Sequence, residues 1–244
     1  MSGRSYRHPS SHPDERSFQI VVGESDLWIT VSASAPEFIE ELALQKVTEL
    51  RGQIQTWMLL DTEFATSLVP LPDPGNAPEI IRRMYSSSRV MGVGPMACVA
   101  GAIAGLTAET LLPLSPDCIV ENGGDSMLYS TRERVVAMLS KKGGKARVGV
   151  RLLADDFPVS LCASSAFIGH SLSLGHGELA VVRSADPFLA DAAATAFCNL
   201  LHEPEDTARA AEIASGYAGY GIDGVFLQCQ GSIAVWGKME LIAL

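Results

Sequence analysis

The chain has 244 residues, 47% of them hydrophobic, which is enough for one sizeable core at the upper end of single-domain size. Its 18 basic and 28 acidic residues give a net charge of −10, which argues against nucleic acid and anionic lipid as partners. The five cysteines are widely spaced and form no Cys-x-x-Cys motif, which argues against a disulfide framework and a zinc site.

The N-terminal residues 1–16 are polar and lack the apolar stretch of a secretory signal. We expect them to form a flexible arm, followed by a single domain over residues 17–244. The longest apolar stretch, residues 90–106, contains four glycines and a proline, so no membrane span is expected. These features predict a cytoplasmic protein. They leave the oligomeric state open, although a dimer is compatible with them.

The first predicted elements are two strands within residues 18–32, separated by a Gly-Glu-Ser-Asp turn. Pro36 opens a long helix in which seven apolar residues recur at helical spacing. Residues 68–78 contain four prolines and a glycine and predict an irregular loop, and a short helix follows over about residues 79–88. The apolar residues of the long helix are Phe38, Ile39, Leu42, Leu44, Val47, Leu50 and Ile54.

Residues 92–105 are rich in glycine and alanine and contain a relaxed dinucleotide fingerprint, Gly92-x-Gly94-x-x-Ala97. The fingerprint does not follow a strand, and Pro95 lacks an N–H that would face a phosphate. We therefore predict a buried helix, running to about Leu111, with a smooth face that allows close approach of another backbone. A glycine-rich helix start that binds an anion is the alternative.

The second half of the chain begins with predicted strands and ends with helices and a hairpin. Strands and helices occur in clusters rather than in strict alternation, which favours an α+β fold over a doubly wound parallel sheet. The predicted strands cover residues 117–121, 126–130, 135–139, 146–153, 159–163 and 178–183, the helices 186–200 and 207–215, and the hairpin arms 224–230 and 232–241.

The first candidate binding site is the turn formed by Asn122, Gly123, Gly124 and Asp125. Two glycines after a strand permit a sharp turn with exposed backbone N–H groups, and polar side chains bracket it. Such a turn can bind a ribose, a phosphate or the amide edge of a ring. A purely structural hairpin turn is an equal alternative.

The second candidate is a metal site on the alanine-rich helix. Asp191 and Thr195 are four residues apart and share one helix face, and only alanines lie between them. A carboxylate and a hydroxyl so placed suit a hard cation such as Mg²⁺. Taken alone, the simpler interpretation is that Asp191 lies near a helix start, where its charge is favourable.

A third candidate combines Ser164 and Ser165, which follow Cys162, with His170. Serine, cysteine and histidine are the residue types of nucleophilic catalysis, but the sequence lacks a Gly-x-Ser-x-Gly elbow. We interpret this stretch as the polar end of a strand and a loop, which commonly line ligand sites.

Taken in order, several segments resemble the small ApbE-like family of uncharacterised proteins. They are GVGPMACVAGAIAG, VENGGD, CASSAFIGHSLSLGHGELAVV and ADAAATAFCN, with ESDLWI and GIDGVFLQCQGSIAVWGKMEL near the ends. The resemblance covers roughly residues 18–241. It implies an α+β fold with a duplicated, T-fold-like core, a mixed or antiparallel sheet and packed helices.

The wider superfamily includes the ApbE flavin transferases, which use FAD and Mg²⁺ to attach FMN to a threonine of a partner protein. By resemblance, Gly123, Gly124 and Asp125 lie in the flavin-binding region, and Asp191 and Thr195 are metal ligands. The resemblance thus implies a nucleotide ligand, FAD or FMN with Mg²⁺, and a protein partner.

The chain departs from the transferases at several motifs. Val22-Gly23-Glu24-Ser25 stands where they have Met-Gly-Thr, and the Asp-Pro of their His-x-x-Asp-Pro-x-x-Gly motif is missing after His170. These departures count against retained FMN transfer. An accessory role in anaerobic sulfur assimilation and homocysteine formation, implied by the small family, is the alternative. A flavoprotein that binds flavin without cleaving it is the third hypothesis.

Overall fold

The computed structural model describes residues 12–138, 148–166 and 176–244. The first half contains β1 (Glu15–Val22), β2 (Ser25–Ser32), α1 (Ile39–Leu60), α2 (Glu79–Met91), a 3₁₀ turn (Pro95–Cys98), α3 (Val99–Leu111), β3 (Cys118–Asn122) and β4 (Asp125–Tyr129). The second half contains β5 (Arg134–Met138), β6 (Val148–Leu152), β7 (Val159–Ser164), β8 (Leu179–Ser184), α4 (Pro187–Asn199), α5 (Asp206–Ser215), β9 (Ile222–Cys229), β10 (Ser232–Gly237) and β11 (Glu240–Ala243).

Every strand pair in the described chain is antiparallel. The large sheet has eight strands in the order β1-β2-β3-β4-β7-β8-β9-β10, and the small sheet has the order β11-β6-β5. Two strands, a group of helices and two more strands follow one another twice, first from β1 to β4 and then from β7 to β10. This repeated order confirms the α+β prediction and fits a duplicated core.

The large sheet lies between two other layers. One of its faces packs against the helices in the larger apolar core, which contains Ile29 and Val182, among other residues. Its other face packs against the small sheet in a second core that includes Leu161 and Val150. Because strand side chains alternate between the faces, Cys162 of β7 points to the helices while Leu161 points to the small sheet.

The helix assigned to residues 92–111 begins later than its glycine-rich start. Pro95 opens a 3₁₀ turn, and α3 proper starts at Val99. The helix packs on α1, α4, β3 and β4, and residues 101–108 are all buried, as the smooth face predicted.

The expectation that no apolar stretch is long enough to span a membrane is wrong for residues 95–114. By length and composition this helical stretch passes that test. The core helix of a soluble protein passes the same test, and the burial of residues 101–108 in the larger core gives a sufficient reason for the apolar composition here.

The predicted C-terminal hairpin is wrong in its second arm. Residues 232–241 do not form one strand, because β10 pairs with β9 in the large sheet and β11 pairs with β6 in the small one. The chain changes sheet at Gly237, whose φ is +75° and whose ideal Cβ would lie 2.1 Å from the Asp223 carbonyl oxygen. Only glycine fits there without strain.

Two details at the N-terminal side also differ from the sequence interpretation. Glu15 and Arg16, which the predicted arm includes, lie in β1. Phe38 and Leu44, assigned to the apolar face of the first long helix, are 58% and 44% exposed. Ala43 is buried in their place, because the buried face of α1 follows residues 39, 43, 47, 50 and 54.

Candidate functional site

The turn and helix motifs that were predicted independently lie against the same part of the helical layer. Asn122 and Asp125 flank the turn between β3 and β4, and Asp191 and Thr195 lie on α4. The start of α3 contacts both. The side chains of these four residues are buried, as are those of Ser164 and Ser165 at the end of β7.

A backbone hydrogen bond fixes the carboxylate of Asp191. The N–H of Gly101 on α3 donates to Asp191 Oδ2 at 2.8 Å. A Cβ at position 101 would lie 2.4 Å from the Pro187 carbonyl oxygen and 2.8 Å from Asp191 Cβ. The absence of a side chain at Gly101 therefore lets α3 and α4 approach closely enough for this bond.

The side chains of the turn attach it to two neighbouring elements. Asn122 and Asp125 are paired across β3 and β4, and Gly123 between them has a φ of +79°. Asn122 Nδ2 donates to the Ala100 carbonyl oxygen at 3.2 Å. Asp125 Oδ1 accepts from the Ala163 N–H of β7 at 3.2 Å. These bonds hold the turn beside the same stretch of α3 that binds Asp191.

The electrostatics of the site are dominated by two carboxylates. Burial and the charge of Asp125 raise the pKa of Asp191 well above its usual range, and hydrogen bonds from the Gly101 and Ala100 N–H groups act in the opposite direction. Within residues 12–138, 148–166 and 176–244, no basic side chain is among the groups that shift this pKa. Like charges held together away from water are stabilised by a cation.

Thr195 lies one helical turn beyond Asp191. Its hydroxyl donates to the Ala97 carbonyl oxygen at 3.4 Å, so it faces the 3₁₀ turn directly before α3. The donor set is therefore composed of carboxylate, hydroxyl and carbonyl oxygens, which suits Mg²⁺. Among the described residues, no three His, Cys, Asp or Glu side chains are grouped as a metal site, so such an ion would need these other oxygens or ligand phosphates.

Ser164 carries a hydroxyl that lacks a hydrogen-bond partner within the described parts of the chain, although the residue is only 5% exposed. It lies two residues after Cys162 on β7 and therefore points to the same helical layer. A buried, unsatisfied hydroxyl is costly and is the kind of group that a ligand satisfies.

Cys162 is fully buried under the start of α4. Its Sγ lies 3.4 Å from Ser160 Oγ and 3.8 Å from the Pro187 carbonyl oxygen. Burial, followed by the charges of Asp125 and Asp191, raises the pKa of this thiol well above its usual range. Cys162 is therefore held as a neutral thiol.

His170, together with Gly169 and Ser171, lies outside the described residues, so its predicted nearness to Ser164 and Ser165 stays a prediction. The sequence motifs did not predict that the Gly101 N–H binds Asp191. Gly101 lies in the small-residue helix for which close backbone approach was predicted, and an exposed backbone donor at such a contact is the signal that indicates this role.

Two surface depressions lie away from these residues. The larger has a volume of about 500 Å³ and the smaller about 210 Å³, and no predicted site residue lines either of them. The larger is lined by Glu49, Gly52, Gln53, Thr56, Trp57, Leu60, Asn76 and Pro78.

Comparison with known proteins agrees with this architecture. The sequence pattern of the family described as "AbpE bacteria" matches residues 9–218. The UPF0280 protein of Methanosarcina acetivorans is 33% identical over 239 residues, covering 97% of this chain and 91% of the relative. The UPF0280 protein of Archaeoglobus fulgidus is 31% identical over 218 residues, covering 88% of this chain and 90% of the relative.

Among solved structures, the ApbE protein of Thermotoga maritima has a TM-score of 0.57 at 12% identity, covering 92% of this chain and 97% of that chain. The flavin transferase ApbE of Vibrio cholerae has a TM-score of 0.53 at 11% identity, with the same two coverages. At these identities the likeness concerns the fold alone.

Proposed function

Because this chain belongs to the family described as AbpE bacteria, we propose that its buried polar site binds a flavin nucleotide together with a divalent cation. The observation that carries the proposal is the meeting of two motifs that are remote in sequence. The turn at Asn122–Asp125 and the helix face of Asp191 and Thr195 both border residues 97–101, where the 3₁₀ turn passes into α3.

In this proposal Asp191 and Thr195 supply oxygens to Mg²⁺. The residues on the nucleotide side are Asn122, Gly123, Gly124, Asp125, Ser164, Ser165 and His170. The bound ion would neutralise charge on the phosphates and on a phosphate leaving group. The names of similarly folded proteins, which are flavin transferases, support FAD or FMN as the ligand. The unsatisfied hydroxyl of Ser164 supports a ligand that has hydrogen-bond acceptors or donors.

The site proposal leads to a wider hypothesis about the protein. We propose a flavin transferase-like activity on a protein partner, in the cytoplasm, carried by a single domain. FMN transfer itself requires that the missing Asp-Pro motif be dispensable.

A low pKa of the Cys162 thiol would favour the accessory role in sulfur assimilation. Complete burial and the raised pKa of Cys162 count against that role, because the thiolate is the nucleophilic form. A yellow colour that survives purification would favour a flavoprotein that retains its flavin over a site that releases it.

The experiment that tests the proposal is calorimetric titration of FAD into the full chain, with and without Mg²⁺, followed by chromatography for FMN and AMP. We expect binding that requires Mg²⁺ and is weakened at least about tenfold in Asp191→Ala, since the ion loses an anionic ligand. Asp155→Ala, which removes an exposed carboxylate elsewhere, is the matched control and should bind normally.

Circular dichroism of both variants separates lost binding from lost folding. Absence of FAD binding by the wild-type chain under either condition would exclude a flavin nucleotide as the ligand. Normal binding by the Asp191→Ala variant would exclude the metal assignment. FMN and AMP after Mg²⁺-dependent binding would establish cleavage of the FAD pyrophosphate.

A further inference from the structure

Strand β10 is a free edge of the large sheet, and its composition differs from that of the other sheet edges. The large sheet ends in β1 and β10, and the small sheet ends in β5 and β11. The other three edge strands each carry charge, at Glu15 and Arg16, at Arg134 and at Glu240. β10 reads SIAVWG, without a charged residue or a proline. Charges and prolines commonly protect a sheet edge from pairing with another chain, so β10 is the unprotected one of these four edges.

The backbone of β10 has open hydrogen-bonding groups at two residues. The strand follows the two-residue turn Gln230-Gly231 and pairs with β9. In such a hairpin, alternate residues bond to the neighbouring strand, and the residues between them point their N–H and C=O groups away from it. Ile233 and Val235 are the outward residues in this register. In the described chain no strand lies on that side, because β10 is the last strand of its sheet.

The side chains of β10 divide between the two faces of the sheet. Ala234 and Trp236 pack against the larger core under the helices. Ile233 and Val235 point to the opposite face, where they are 52% and 40% exposed. An added strand would therefore bond to the open backbone groups and cover these two apolar side chains together.

Helix α5 leaves room for such a strand. It packs over β9 and β10 and so borders the free edge. One face of α5 lines the smaller depression together with Leu200, which follows α4 over β7 and β8, so this face is turned away from the edge. Ala208 and Ser215 lie about half a helical turn from that face, on the side of the edge. Their short side chains do not obstruct a strand placed beside β10.

The charges at the two ends of β10 favour a second copy of the chain as the partner. Lys238 directly follows the strand, is exposed, and makes a long contact of 4.0 Å with Asp223, so it can reach another carboxylate. At the other end, the Glu178 carboxylate accepts from the Gly231 N–H at 3.3 Å. In an antiparallel pair the end of one strand lies at the beginning of the other, so Lys238 of each copy approaches Glu178 of the other.

We propose that two copies of this chain associate through β10, paired antiparallel about a two-fold axis at Ala234. Ile233 of one copy then faces Val235 of the other, and the outward N–H and C=O groups of both residues are bonded. The two large sheets become one continuous sheet. A two-fold interface requires a self-complementary surface, and β10 provides one through its apolar centre and its oppositely charged ends. This interface is independent of the ligand in the proposed function.

The first test is sedimentation equilibrium of the full chain over a range of concentrations. We expect twice the mass of one chain, falling to the single mass on dilution. Val235→Lys and Ile233→Lys should each raise the dissociation constant of the dimer at least about tenfold, because a charge would lie against an apolar side chain of the other copy. Val21→Lys is the matched control, since it changes an exposed valine on the opposite edge strand β1 and should associate as the wild type does.

A wild-type chain that stays monomeric at every concentration would overturn the proposal. So would a Val235→Lys variant that associates as tightly as the wild type, because the interface would then lie elsewhere. Circular dichroism of the variants checks that each one folds.

A cross-link tests the register and does not depend on the lysine variants. Ala234 of each copy would face Ala234 of the other in a pair without hydrogen bonds, with Cα atoms about 4.5 Å apart, which suits a disulfide. Under mild oxidation Ala234→Cys should give a covalent dimer, and Val21→Cys should not. The native cysteines are all buried and should contribute little background. A wild-type dimer with no covalent dimer in Ala234→Cys would contradict pairing through β10.

Discussion

Asp191 and Gly101 illustrate how single residues determine this site. The carboxylate is held in a buried position by a backbone N–H, and that N–H is reachable because residue 101 has no side chain. The alanines between Asp191 and Thr195 act in the same way, since they leave the helix face unobstructed. Small residues in this protein therefore allow polar groups to reach their partners, in addition to allowing close packing of the helices.

We predict that Gly101→Ala destabilises the protein by about 2 kcal/mol, because its Cβ would overlap the Pro187 carbonyl oxygen. It should also weaken Mg²⁺-dependent ligand binding, since α3 must move away from Asp191. The measurements are urea unfolding and calorimetry. Gly52→Ala is the control, because position 52 lies in α1 with no atom within 4 Å of its ideal Cβ, and this change should stabilise by about 0.5–1 kcal/mol. Equal effects at both positions would contradict the close-approach argument.

The raised pKa of Asp191 predicts a pH dependence of stability in the absence of metal. The folded chain retains a proton at pH values where the unfolded chain has released it. The free energy of unfolding should therefore fall as pH rises above the ordinary pKa, by at most about 1.4 kcal/mol per pH unit for one proton. Urea unfolding in chelator measures this slope, and Asp191→Asn should reduce it. An identical slope in the variant would mean that Asp191 does not titrate in this way.

At the scale of elements, helices α1 and α2 are joined by a polar contact within an apolar layer. Tyr85 on α2 donates to Asp61 Oδ2 at 2.5 Å and accepts from Trp57 Nε1 at 3.3 Å, while its ring stacks on Phe64. Asp61 directly follows α1, so the contact fixes the end of that helix against α2.

We predict that Tyr85→Phe lowers the free energy of unfolding by about 1–2 kcal/mol, because the Asp61 carboxylate loses a donor. Burial and the hydrogen bond to Asp61 raise the pKa of Tyr85 to about 12 from 10.0. The stability that this contact contributes is complete below pH 10 and lost as pH rises toward about 12. Urea unfolding across this range should show the loss in the wild type and less of it in the variant. Tyr220→Phe changes a tyrosine that is 64% exposed and should change neither quantity.

The elements also show what sequence alone can predict. Apolar residues and turn residues located the strands of the large sheet. β2 and β3 alternate between buried and half-buried positions, whereas β8 is buried along its whole length because both faces of the sheet are covered there. The same signals joined β10 and β11 into one arm. A change from one sheet to the other depends on which strands lie nearby, and Gly237 is its sole local sign.

At the scale of the whole molecule, the duplicated order of strands and helices brings the two motifs together. The turn belongs to the first unit and α4 to the second, so neither unit alone contains both Asp125 and Asp191. Residue types and local spacing predicted each motif, since those depend on neighbours in sequence. Their proximity depends on how β4 pairs with β7 and how α3 packs on α4, which local spacing does not encode.

The most direct test of the proposed site is a crystal structure of the chain with Mn²⁺ and FAD, with anomalous scattering recorded to locate the metal. The account predicts one Mn²⁺ peak in contact with Asp191 and Thr195, and FAD phosphates bound to that ion. Mn²⁺ and FAD bound elsewhere, for example in the depression along α1, would contradict it, because the buried carboxylates would then have no part in ligand binding.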